Sequence, residues 1–265
     1  MLREWKLILS RLGVCAALLA SAALALNAGI VAAGDDGGDA PNRSSILNTS
    51  ISKNWAGYAV QTGTLFPQSG KITRVYGEWT VPAVECRAGE TSYSSVWVGL
   101  DGYDNGTVEQ VGTQQNCTNG EPTYRSFYEM YPESIVPQRM NVKPGDVVQG
   151  EVTYSRGTFT MTLKNTTTDQ RFSVKRTGDG ARRSAEWIVE TPTADSGLLL
   201  NLANFGSVEF RNTSVTVDGE TGDIGDSRWK DKRLTMVNLE DVSVALTSFF
   251  DKATNSLKVT MVKIL

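Results

Sequence analysis

Thr158-Phe159-Thr160-Met161-Thr162-Leu163 puts its apolar side chains on one face of an extended chain and its threonines on the other. That alternation is the signature of a half-buried strand. The turn-forming residues Asn165 to Asp169 follow, and Arg171-Phe172-Ser173-Val174-Lys175 returns with the same period, so the stretch predicts a β-hairpin. The same reading extends outward to strands over 147–154, 208–210, 215–217, 234–239 and 257–265, with Pro144-Gly145 as a turn. Helical periodicity is scarcely visible. Many short strands joined by turns over about 210 residues predict an all-β chain, an antiparallel β-sandwich of two curved sheets. The 265 residues are 40% hydrophobic, enough for one sizeable core, and neither a repeat nor a second domain is visible.

The ends of the chain read differently. Arg3, Lys6 and Arg11 precede an Ala- and Leu-rich apolar run from Leu12 to Leu26, the pattern of a secretory signal spanning residues 1–33. Ala23-Leu24-Ala25 and Val31-Ala32-Ala33 are candidate cleavage points, and an uncleaved anchor is the competing reading. Residues 34–53 are Gly-, Asp-, Asn- and Ser-rich, as in a flexible N-terminus or short pro-segment, so the folded domain is expected over 54–265. With Cys15 inside the signal, Cys86 and Cys117 remain, and two cysteines in an oxidising compartment suggest one disulfide. Loss of the signal moves the formal charge from −3 to about −5, which argues against a nucleic-acid partner. Asn-x-Ser/Thr sequons occur at Asn42, Asn48, Asn105, Asn116, Asn165 and Asn212.

The most informative compositional fact is that the chain contains no histidine. Ser-His-Asp and Cys-His nucleophilic machinery is thereby excluded, as are HExxH metal sites. A hydrolase built on this chain has to use carboxylates for acid–base work. Three segments mix aromatics with acids: Trp97-Val98-Gly99-Leu100-Asp101-Gly102, Tyr128-Glu129-Met130-Tyr131-Pro132-Glu133 and Ala185-Glu186-Trp187-Ile188-Val189-Glu190. Taken singly, each fits core aromatics beside exposed strand acids.

Together with Asn54-Trp55-Ala56-Gly57 and Gln110-Val111-Gly112, these segments resemble, in order, the motifs of the glutamic peptidases, or eqolisins. The resemblance covers about residues 54 to 265. It implies a lectin-like, concanavalin A-like sandwich with a cleft on its concave face, and it places the catalytic glutamine at Gln110 and the catalytic glutamate at Glu190. Trp97, Asp101 and Glu129 match cleft positions that tune the pair, and Asn54, Trp55 and Tyr128 belong to the matching motifs. Strand alternation puts Glu186, Ile188 and Glu190 on one face, so that Glu190 is expected to face the cleft beside Glu186.

The chemistry implied is peptide hydrolysis by a secreted, monomeric acid endopeptidase acting on polypeptides, with no metal, no organic cofactor and no lasting membrane association. A glutamate that serves as both base and acid works best near its own pKa, about 4.3 when unperturbed. Three residues depart from the fungal pattern. Arg125 stands where an aspartate is usual, Met130 replaces an aromatic, and Thr191 replaces the acid after the catalytic glutamate. The rival reading is a carbohydrate-binding or glycoside-hydrolysing protein on the same sandwich, with Trp79 and Trp229 stacking sugars. It lacks the Glu-x-Asp-x-x-Glu strand pattern common in sandwich glycosidases.

Overall fold

The computed structural model describes residues 48–62, 70–194 and 196–262. The expected signal, most of the 34–53 segment and the sequon at Asn42 lie outside them. Strands β1 (Thr49–Ser52), β2 (Trp55–Gln61), β3 (Ile72–Thr80) and β4 (Ser92–Leu100) are followed by the long hairpin of β5 (Val108–Thr118) and β6 (Glu121–Tyr131). Next come β7 (Val136–Gln138), β8 (Val147–Ser155), β9 (Thr158–Asn165), β10 (Gln170–Thr177) and β11 (Ser184–Glu190). The chain closes with β12 (Ser207–Val217), β13 (Glu220–Gly222), β14 (Lys230–Val237), β15 (Ser243–Thr247) and β16 (Ser256–Met261), and no helix occurs among the described residues.

The hairpin predicted from Thr158 onward is β9–β10, paired from Thr158↔Thr177 to Asn165↔Gln170. Phe159, Met161 and Leu163 are fully buried, as their spacing requires. The expected strands 208–210 and 215–217 are one strand, β12, whose register against β3 shifts between Arg211 and Ser214, where Asn212 adopts φ 51°. A local bulge, which periodicity reads as a break, joins them. Regular pairing is already present before Asn54, because Thr49–Ser52 is held in a parallel ladder against β14.

The ladder runs β10-β9-β8-β3-β12-β16-β15-β14-β2-β11-β4-β5-β6-β7 without a break, so one antiparallel sheet folds over to form both layers of the sandwich. The layers meet where side chains vanish. A Cβ at Gly77 of β3 would lie 2.7 Å from Trp187, and one at Gly150 of β8 would lie 2.8 Å from Val98. Trp79, Trp187, Phe159 and Phe210 fill the space between, each contributing about 1.5–3 kcal/mol by burial. Cys86 and Cys117 form a disulfide with Cα atoms 5.6 Å apart.

A second, smaller apolar cluster lies on the other face of β14, β2, β11, β4, β5 and β6: Ala59, Trp97, Val108, Phe127, Ile188 and Leu234. Alternation along β4 therefore sends Val96 and Val98 into the sandwich and Trp97 outward. That outward face carries the site.

Candidate active site

Register aligns three rows across β11, β4, β5 and β6. Glu186, Gly99, Gln110 and Glu129 form the first; Ile188, Trp97, Gly112 and Phe127 the second; Glu190, Ser95, Gln114 and Arg125 the third. A cleft of about 990 Å³ opens over them, lined by Gln110, Glu129, Glu190, Asn54 and Trp55 among others.

Glu190 ends β11 opposite Trp55 and Ser95. Trp97 Nε1 donates to its Oε2 at 2.7 Å and Asn54 Nδ2 to its Oε1 at 3.3 Å. Trp55 packs edge-on against Trp97, with ring centroids 5.1 Å apart. Its own Nε1 lies near the same carboxylate but outside hydrogen-bond geometry. Burial pushes Glu190 above the ordinary glutamate range, and the Trp97, Trp55 and Asn54 donors, which favour the anion, oppose that push. Its edge on the cleft stays open to water, which tempers the shift.

Gln110 Nε2 donates to Glu129 Oε2 at 2.8 Å, whereas Gln110 Oε1 is buried without a partner. Glu129 is raised as well, first by burial and then by the charge of Glu190. Glu129 thus couples the two candidates: it holds the amide of one and feels the charge of the other.

The glycines of the motifs acquire a physical meaning here. A Cβ at Gly112 would lie 2.3 Å from Val96 O and 2.6 Å from Trp97 Cβ, so Gln-x-Gly leaves room for the tryptophan that donates to Glu190. Gly57, at φ 145°, would place a Cβ 1.9 Å from Trp187 O, so Asn-Trp-Ala-Gly lets β2 approach β11 closely.

Other sequence-selected residues lie elsewhere. Asp101, at φ 68°, is fully buried and does not line the cleft. It accepts the backbone N–H groups of Arg182 and Arg183 at 2.6 and 2.9 Å, and Asn105 Nδ2 at 2.8 Å, tying the 178–183 segment to the loop after β4. Tyr128 points to the opposite side of β6 from Glu129, where its hydroxyl accepts from Arg176 and its ring lies under that guanidinium. Glu186 is on the Glu190 side of β11 but is sealed off, with both carboxylate oxygens buried and unpartnered, and burial holds it well above the ordinary glutamate range. The expectation that it flanks Glu190 in the cleft is corrected: alternation sets the side of a strand, not the depth. Thr191 anchors the cleft rim, through N–H to Asn54 O and Oγ1 to Leu200 O.

Ser95, Phe127, Tyr103 and Leu234 line the cleft without having been selected from sequence, and so does Gln114, which with Gln115 rivals Gln110 in the sequence but lacks its Gln-x-Gly context. Ser95 and Gln114 could have been found by stepping two residues from Trp97 and four from Gln110 along strands of known facing. Trp79 and Trp229, proposed as sugar platforms, are buried, with their Nε1 groups donating to Thr113 Oγ1 and Asp223 O, so neither offers an open face. Among the described residues, no three His, Cys, Asp or Glu side chains are grouped to hold a metal.

The model of the peptidase A4 family matches residues 53–259. Aspergillopepsin-2 of Aspergillus niger is 33% identical over 200 residues, which cover 66% of this chain and 68% of the relative. Scytalidopepsin B of Scytalidium lignicola is 30% identical over 211 residues, covering 75% and 76%. A crystal structure of scytalido-glutamic peptidase with a transition state analog inhibitor superposes with a TM-score of 0.67 at 25% identity, covering 79% of this chain and 98% of that one.

Proposed function

The chain belongs to the peptidase A4 family and is a glutamic endopeptidase, and from that premise we propose that Gln110 and Glu190 form its catalytic dyad. The observation that carries this reading is their convergence on one cleft. Glu190 presents a carboxylate held by Trp97 and Asn54, and Gln110 presents an amide oriented by Glu129 with an uncommitted oxygen.

In the proposed reaction a water lies between the two. Gln110 Oε1 accepts one of its hydrogens, and the Glu190 carboxylate removes the other proton as the water oxygen attacks the peptide carbonyl carbon. The carbonyl π electrons move to oxygen. The second N–H of the Gln110 amide, the one not given to Glu129, donates to that oxyanion. Glu190, now a carboxylic acid, passes its proton to the departing nitrogen; the C–N bond breaks, and a new carboxyl group and amine are released. Glu129 is a positioning residue, fixing the amide so that oxygen and nitrogen cannot exchange places.

The raised pKa of Glu190 modifies the expected pH optimum. Its base form populates at higher pH than that of a free glutamate, so the rising limb of kcat/KM lies above about 4.3. Secretion is proposed from the Arg3-to-Leu26 pattern, and the Cys86–Cys117 disulfide suits an oxidising compartment. N-terminal sequencing of exported protein tests it: a chain starting at Met1 would reject cleavage. For the dyad, Glu190→Gln and Gln110→Ala should each lower casein hydrolysis by at least ~1000-fold with an unchanged circular dichroism spectrum. Substantial turnover in either folded variant sinks the assignment.

A further inference from the structure

The third row of the cleft floor ends on a cation. From Glu190 it passes through Ser95 and Gln114, both of which line the cleft, to Arg125, which is exposed. Arg125 shares its side of β6 with the cleft residues Phe127 and Glu129. The β6–β7 register pairs Ser126 with Gln138, so the next residue, Arg139, also exposed, falls beside Arg125. Among the described residues, neither guanidinium has an acid within ion-pair distance. The other charged groups on or against β6 are Glu121 and Glu129 on the strand itself, Glu109 on β5, which faces the opposite side from Gln110, and Arg176, which packs on Tyr128 on the side away from the cleft; Arg171 lines a second hollow together with Arg139. Glu129 is already engaged by Gln110, and it sits four residues, roughly 13 Å, along the strand. Adjacent like charges on neighbouring strands destabilise a sheet unless something neutralises them. No lysine or arginine lines the cleft itself among the described residues; its charged members are acids.

We propose that Arg125, with Arg139 beside it, forms a specificity subsite that binds a carboxylate of the peptide substrate. The inference rests on the cleft being the peptidase site. Arg125 lies three strand spacings from Glu190, roughly 14 Å, which an extended peptide crosses in about four residues. The carboxylate is therefore an Asp or Glu side chain, or the substrate's C-terminus, three to five residues from the scissile bond.

Peptides that differ only by Glu or Gln, scanned across those positions and made with amidated or free C-termini, would be compared at pH 5 and pH 3. In the wild type, at pH 5, one position should favour Glu by about two- to five-fold in kcat/KM. The preference should disappear in Arg125→Gln and in the Arg125→Gln/Arg139→Gln double variant, while kcat/KM for the all-Gln, amidated peptide stays within two-fold. It should also shrink at pH 3, where a glutamate side chain is largely protonated, and in high salt. A preference for the free over the amidated C-terminus, lost in the same variants, would identify the terminal carboxylate as the ligand. A wild type indifferent to both changes, or a preference that survives in Arg125→Gln, overturns the subsite. Those results leave the dyad standing, which only activity in Glu190→Gln or Gln110→Ala would remove.

Discussion

Glu109→Gln should change how the stability of this protein depends on pH, in a direction and by an amount set by the burial of one side chain. Glu109 is 4% exposed on β5, facing away from the cleft, and its Oε2 has no hydrogen-bond partner. Burial first, and the neighbouring Asp101 carboxylate second, push its pKa from 4.5 to about 8. In the unfolded chain the group loses its proton near 4.5; in the folded chain it keeps it until about 8. Between those values the folded state binds more protons, so stability falls as pH rises, by about 1.4 kcal/mol per pH unit at full effect. Below the window the group contributes nothing, and above it the loss levels off at roughly 5 kcal/mol. Glutamine has nearly the same volume and cannot ionise. The Asp101 Oδ2 and Glu109 Oε2 atoms lie 2.9 and 3.0 Å from the position a Cβ would take on Gly180, so the amide would occupy the same hollow beside Gly180 and Asp101. Urea unfolding of wild type and variant at pH 4.5, 6 and 7.5 reads the effect directly. The two should agree within about 1 kcal/mol at the lowest pH and diverge in favour of Glu109→Gln by several kcal/mol at the highest. Glu186, held up first by burial and only in lesser part by the Glu109 charge, steepens both curves, so the difference between them is dominated by Glu109 itself. Parallel curves would refute the reasoning.

Other outcomes follow from single contacts. Gly112→Ala should cost about 3 kcal/mol by overpacking against Val96 O and Trp97, and should lower kcat/KM at least ten-fold by displacing the Trp97 donor; an unchanged melting temperature with full activity would show that β4 and β5 yield without consequence. Glu129→Gln should keep the rising limb of the pH–kcat/KM profile and lose the falling one, because Glu129, held up by burial and by Glu190, ionises last and then repels the oxyanion; an unaltered falling limb assigns it to another group. Replacing Cys86 and Cys117 by serine opens a link spanning 31 residues and should cost about 3–4 kcal/mol in thermal or urea unfolding, and a loss under 1 kcal/mol would contradict the loop-entropy account.

The facing of the strands was legible in the chain because backbone pleating imposes period two wherever one face is buried. Phe159, Met161 and Leu163 reached the core as their spacing requires, and Glu190 stood opposite Trp187 and Val189. The lack of histidine and the order of the Trp, Gln-x-Gly and Glu motifs pointed to carboxylate–amide chemistry without any coordinates. Depth and long-range register were not legible. Glu186 and Glu190 share a side of β11, yet one is sealed beneath the loops and the other opens on the cleft, because cover is supplied by residues far away in sequence. Asp101 and Tyr128 sit in motifs beside cleft residues and themselves turn away, one to hold a loop and the other to carry Arg176. The row from Glu190 to Arg125 joins four strands drawn from two separate parts of the chain, and no local pattern encodes which residue of β11 meets which of β4. Sequence alone determined the facing of the strands it marked, which depends on neighbouring residues, and its ordered motifs pointed to a glutamic peptidase. The tertiary structure decided which acids meet water and which meet each other, because burial and pairing register are properties of the assembled sheet.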